Sequence, residues 1–238
     1  MRHVIERLSA RMGEFAQSPF LSFLRDPTID PADKFSFAPH VAHFVLTFGD
    51  LCRYVLPEQP PADEFQALVN ANAAEDQDHW RWFLSDLSLL GRDPQLAYSQ
   101  AIGTVWSTAN VRTRLLSYHL CHMALGADSI GKLVLVDSIE GAFKVTAESL
   151  EQVARDFGAR TGKRLHYLGA RHADAENGHT LGRTDVRERL ERLELRDDQR
   201  NPLFAIVDES FSLFRGFADE MLALANGAAS VAAFVPHH

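Results

Sequence analysis

The chain has 238 residues, 46% of them apolar, and a formal net charge of −8. That length and apolar content suit one domain over residues 1–238. Basic residues alternate with acidic ones, as in RTDVRERLERLELRDDQR (183–200), so no cationic stripe for nucleic acid or an anionic membrane appears. Cys52 and Cys121 make no CxxC pair, MRHVIERLSARMGEF lacks the apolar run of a signal peptide, and no run reaches membrane-spanning length; a reducing, cytoplasmic setting is expected.

Apolar spacing predicts a first helix over 3–17. Turn residues in DPTIDPADK (26–34) precede a second helix over 31–56, and PEQPPADE (57–64) closes it. Pro60, Pro61 and Asp63 read as a helix start and Gly91 as a helix end. Phe65, Leu68, Val69 and Ala73 continue at three and four residue spacing to Trp80, Phe83, Leu84 and Leu87, so 61–90 is expected as one helix. A short piece near 95–104 precedes helices over 109–126 and 127–158. KLVLVD (132–137) alone resembles a strand, but no second strand is available to pair with it and the flanking pattern is helical. Helices over 164–182 and 200–227, with a short piece near 184–194, complete an all-α bundle of about seven helices with short connections.

RHADAENGHT (171–180) places His172, Glu176 and His179 at offsets 0, 4 and 7, which on a helix return to within about 40° of one direction. NANAAEDQDHW repeats the spacing with Asn72, Asp76 and His79, and Glu75 shares that side. DSIEGAF adds Glu140, set among Ile139, Ala142 and Phe143 on what is expected to be a buried stripe. Bundles build interior metal sites from such residues on facing helices, and a mixed imidazole and carboxylate set suits iron, manganese or zinc. The plainer reading is that histidine and glutamate meet at helical spacing by chance, an i, i+4 pair being more often a surface hydrogen bond. Two repeated sets and a carboxylate among apolar neighbours, which calls for a cation, weigh the other way. Asn72 offers only a weak neutral ligand.

Other histidines have simpler explanations. His40 with His43, and His119 with His122, are i, i+3 pairs of the kind that usually hydrogen-bond in a core or at its edge. Cys121 and His119 point to different sides of a helix, which makes an activated thiol a poor reading. No glycine-rich phosphate loop or GxSxG elbow occurs.

Through these residues the chain resembles the haem-oxygenase-like superfamily, in particular its iron-containing redox enzymes, the haem-oxygenase-like diiron oxidases. The resemblance runs from FAPHVAHFVLTFGDL (37–51) through EDQDHWRWFLSDLSLLG (75–91) and Glu140 to LGARHADAENGHT (168–180), and ED..HW.WFL.DL..LG is its more specific part. It implies a bundle of about seven helices and two irons, without haem or nucleotide. The matching ligands are His79, Glu140, His172, Glu176 and His179, with Asp76 as a further one. Asn72 stands where the family has a carboxylate or histidine, which leaves three outcomes open: one weakly held iron, substitution by Asp76 or Glu75, or lost activity. The resemblance further implies dioxygen activation, oxidation of a small amine, amino acid or fatty acid, a homodimer, and a substrate pocket near His40, His43, Phe44, Trp80 and Phe143.

Three alternatives share the fold. Haem oxygenase needs an axial histidine near the N-terminus, and His3 is poorly placed for it. A thiaminase-II-like hydrolase would use cysteine with carboxylates and no metal, but Cys52 and Cys121 lack the matching context. A degenerate member would bind a ligand without redox chemistry, and Asn72 is the best argument for it.

Overall fold

Proline and aspartate punctuate the first quarter of the chain. In the computed structural model, which describes residues 1–172, 180–182 and 184–227, α1 (Arg2–Phe15) is followed by α2 (Pro19–Arg25) and α3 (Pro31–Lys34). Both short helices carry proline in their first turn, where its missing N–H costs nothing, and the Asp30 side chain caps α3 by accepting from the Ala32 N–H at 2.8 Å. The predicted 31–56 helix is divided. Pro39 sits in a 3₁₀ turn (Ala38–Val41), α4 covers Ala42–Asp50, and a π-helical turn (Leu51–Val55) ends the segment. Proline inside an α-helix would remove a hydrogen bond and clash with the preceding turn, which explains why the α-helix begins only after it. Helix α2 was not anticipated.

The expected 61–90 helix is also two. Helix α5 (Glu64–Asp76) is capped by Asp63, whose side chain accepts from Gln66 N–H at 2.8 Å, and α6 spans Trp80–Leu89. Between them the chain tightens: the N–H groups of His79, Arg81 and Trp82 bond carbonyls three residues back, at Asp76, Asp78 and His79. The polar run EDQDH has no apolar residue to hold a regular turn against the core, and the Asp78 carboxylate is drawn outward to Arg53 and Arg81.

Helix α7 (Tyr98–Val105) and a 3₁₀ turn (Thr108–Asn110) lead to α8 (Val111–Gly126), and α9 (Ser129–Thr161) follows. Helix α9 is the axis of the bundle and packs against α1, α2, α3, α5 and α8. Asp128 caps it through Gly131 N–H at 2.8 Å, and Gly162, at φ 72°, ends it in the left-handed region that glycine enters freely. Residues 132–139 are all buried, so KLVLVD is apolar in a row because the helix is enclosed on every side, as a buried strand would be. Helix α10 (Thr184–Glu191) and α11 (Asp197–Ala225), the latter also packed on α9, complete the described chain. The expected 164–182 helix begins late: residues 163–169 are bends and coil, and helical geometry starts at Ala170.

Among the described residues every regular element is helical, one hydrophobic cluster runs from Met1 to Leu224, and no helix is long and apolar enough to cross a membrane. The observed architecture is an all-α bundle.

Candidate metal centre and its cavity

Asp76 ends α5, His79 lies in the tightened turn, and His172 stands two residues into the helix that follows the 163–169 loop. All three are buried, and each offers a ligand atom such that the three lie within 4.8 Å of one another. Nδ1 of His79 is 3.2 Å from Oδ1 of Asp76, and the two imidazole rings meet edge to face with centroids 4.8 Å apart. Nδ1 of His172 is 3.2 Å from the Tyr167 carbonyl, which can only accept, so this nitrogen carries the proton and the lone pair of the neutral ring is on Nε2. A metal-binding histidine is commonly held in this way.

A second device fixes His172. Asp86, fully buried on α6, accepts from the N–H of His166 and of Leu168, both at 2.8 Å, and the His172 N–H returns to the His166 carbonyl at 3.1 Å. Burial pushes the Asp86 carboxyl up from the ordinary carboxylate range, and the N–H bonds of Leu168 and His166 oppose the rise. One carboxylate thus ties the helix after His79 to the loop before His172. A Cβ on Gly169 would lie 2.5 Å from the Leu165 carbonyl oxygen, so this loop requires glycine there. Aromatic rings close around the imidazoles: Trp82 stacks on His79 at 4.4 Å, while Phe143 and Tyr167 pack on His172 at 4.1 and 4.3 Å.

Asn72 is fully buried beside the cluster. Its Nδ2 donates to Oε1 of Glu140 at 2.6 Å and to Oδ2 of Asp76 at 3.3 Å. The amide nitrogen thus joins two carboxylates, while the buried Oδ1, the atom by which an asparagine would bind a metal, has no hydrogen-bond partner among the described residues. Glu140 differs from expectation: it is half-buried rather than enclosed, because it stands in the wall between an interior cavity and a surface groove beside Met12 and Arg187. Glu176 and His179 lie outside the described residues.

The cavity measures about 90 Å³. Asp76, Glu140 and His172 form its polar end, with Phe143 and Thr146 of α9 beside them. The rest is apolar, from Phe44, Val45 and Phe48 on α4 to Phe214 and Phe217 on α11. Phe44 and Phe143 thus line it as expected, whereas His40, His43 and Trp80 do not. On the helical stretch 37–48, Phe37, Val41, Phe44, Val45 and Phe48 turn to the cavity and the histidines to the other side: His40 Nδ1 meets Asn110 Oδ1 at 2.8 Å, and His43 Nδ1 meets Ser117 Oγ at 3.1 Å, both on the α8 side. Burial lowers the pKa of both imidazoles, and for His40 the Asn110 contact opposes it. Trp80 packs on Gly49, where a Cβ would come within 3.1 Å of the indole.

Sequence reasoning missed Asp86, Tyr167 and Trp82. Asp86 had a readable signal, since it follows Phe83 by three residues on the apolar stripe of α6, as Glu140 does among its neighbours. Neither cysteine lines the cavity, and burial raises the Cys121 thiol above its ordinary pKa, against thiolate chemistry. The sequence matches no model of a known protein family and no curated protein.

Proposed function

We propose that the chain is a haem-oxygenase-like, non-haem iron oxidase with a two-iron centre, which activates dioxygen to oxidise a small amine, amino acid or fatty acid in the cytoplasm. The observation that carries the reading is the buried cluster of Asp76, His79 and His172, of which Asp76 and His172 line the polar end of an apolar cavity. Two imidazoles and a carboxylate with unlike charges to offer are the donor set of iron rather than of calcium or magnesium. The described residues fit one ion directly. A second would draw on Glu140 together with Glu176 and His179.

Bound iron would supply the electrons that reduce dioxygen. The protein's own part is positioning and exclusion. His172 is oriented by the Tyr167 carbonyl, and the 166–168 loop is held by Asp86. Asn72 keeps Asp76 and Glu140 together at the cavity wall despite their like charge. The phenylalanines exclude water and receive the apolar part of a small substrate in the cavity of about 90 Å³. A larger substrate requires Phe143 or Phe44 to move.

Oxygen uptake by iron-loaded protein, measured with a panel of short-chain amines, amino acids and acids, tests this. Uptake that one class stimulates and His172→Ala abolishes is expected; uptake no greater than that of the His172→Ala protein with every class refutes it. The Asn72 bridge favours a second reading, a metal-free relative in which the cluster is a polar network. In that case the protein takes up no iron and His172→Ala lowers stability alone.

A further inference from the structure

Helix α9 divides two spaces. Its inner stripe, with Ile139, Ala142, Thr146 and Leu150, lines the cavity. Its outer stripe, with Asp137, Gly141, Lys144 and Glu148, lines the surface groove between α1, α9 and α10, which measures about 440 Å³. Glu140 and Phe143, about one turn apart on the border of the two stripes, are half-buried and line both spaces. Helix α1 repeats the division, since Phe15 lines the cavity and Met12, three residues before it, lines the groove. The wall between the two is a single layer of side chains.

What covers this wall from outside is flexible. A Cβ at Gly141 would lie 3.1 Å from Sδ of Met12 and 3.3 Å from its Cγ, so the thioether rests on the bare backbone of α9 next to Glu140. Methionine is unbranched with three rotatable bonds, and it leaves such a seat at little cost. Behind the wall Phe143 packs on His172 with centroids 4.1 Å apart, so rotation of that ring joins the groove to the polar end of the cavity. The α4–α11 side is held differently. There Phe44 packs on Phe48, Phe214 and Phe217 with centroids 5.5 to 5.9 Å apart, and an opening would have to move several rings together.

The groove also has a sign. Its floor is apolar at Ile5, Leu8 and Ala147, but five carboxylates line it against two cations, and Arg187 is already bound to both oxygens of Asp137. Glu148 and Glu191 stand exposed at its rim. An organic ammonium with a short apolar body is drawn into such a groove, and a carboxylate is repelled.

We infer that small molecules reach the cavity from this groove, between Met12 and Phe143, and that the passage favours cations, which makes an amine the substrate class of the proposed oxidase. The choice of class rests on that reading. The passage does not, because entry needs neither iron nor turnover.

Labelling of a cysteine placed inside the cavity tests both parts. Ala142 lines the cavity and is 2% exposed, so the full chain carrying Ala142→Cys is treated with aminoethyl or sulfonatoethyl methanethiosulfonate. Peptide mass spectrometry reads that position apart from Cys52 and Cys121, and each rate is divided by that of the urea-unfolded chain. Thr146→Cys replaces Ala142→Cys if the latter loses its helical circular dichroism. Adding Met12→Ala should speed labelling by both reagents about tenfold; if that variant fails to fold, Phe143→Leu takes its place with the same expectation. The aminoethyl reagent should lead the sulfonatoethyl by about tenfold, and Glu148→Gln with Glu191→Gln should remove most of that lead. Cys52, buried and outside the cavity lining, should keep its rate throughout. An unchanged rate in Met12→Ala, faster entry in Phe217→Ala instead, no labelling in any variant, or acceleration matched at Cys52 overturns the passage. An equal or greater rate for the sulfonatoethyl reagent, or a lead that the rim variants leave intact, overturns the preference for cations.

Discussion

Two pairs of imidazoles lie inside this bundle, and they have little in common beyond their residue type. His40 and His43 meet an amide oxygen and a hydroxyl on the α8 side, with no carboxylate at hydrogen-bond distance among the contacts described above. His79 and His172 converge from different segments on Asp76, with Asn72 and Glu140 alongside. The first arrangement gives each ring a neutral hydrogen-bond partner, with the Glu220 carboxylate acting on His40 and the Arg114 guanidinium on His43 only at longer range; the second gathers negative charge around nitrogen donors. Burial of an imidazole is thus uninformative by itself, and what decides its role is whether acidic groups are buried with it.

The largest expected effect breaks the frame that makes the second pair. Asp86→Ala leaves the N–H groups of His166 and Leu168 without their acceptor, and should cost about 2–4 kcal/mol in urea unfolding. It should also weaken metal binding, because the same loop presents His172, while leaving the surroundings of His40 and His43 as they are. A variant as stable as wild type would show that the loop holds itself.

Asn72→Glu sharpens the contrast in charge. A third carboxylate beside Asp76 and Glu140 should lower metal-free stability by about 1–3 kcal/mol, since the donor that joined them is gone. Saturating ferrous or cobaltous ion should offset that loss and bind more tightly than to wild type. Equal losses with and without metal, in paired thermal melts, would mean that position 72 has no part in a cation site.

The smallest effect belongs to the first pair. Burial holds the folded-state pKa of His40 and His43 below the ordinary value of 6.5, so the unfolded chain takes up protons first as pH falls. Their contribution is complete above about pH 6.5 and is lost as pH drops through that value, with a slope of at most about 1.4 kcal/mol per pH unit for each ring. Urea melts at pH 7.5 and 5.5 should show the decline, and His43→Asn should flatten it. An unchanged slope would place the acid sensitivity elsewhere.

The helical class was legible because long segments keep one apolar period, and the enclosed run KLVLVD was correctly helical because no partner strand existed. Boundaries failed where local chemistry overrides periodicity: Pro39 delays α4, and the EDQDH run tightens the chain between α5 and α6. Asp76, His79 and His172 were named from the sequence and do lie together, but not through the helical offsets that singled them out, since α5 ends at Asp76 and Glu176 and His179 lie outside the described residues. The hydrogen-bonding sense of Asn72 was not legible, because it depends on a carboxylate 68 positions away. His40 and His43 were misassigned to the cavity for a related reason: a helix has two sides, and only the position of α8 shows which one they take.

The central claim is that the carboxylate-bearing pair binds metal and the neutral pair does not. Anaerobic iron titration of three proteins tests it directly: wild type, His79→Ala/His172→Ala, and His40→Ala/His43→Ala. The account predicts equal tight iron uptake by the first and third and none above background by the second; equal uptake by all three, or loss only in the third, would contradict it.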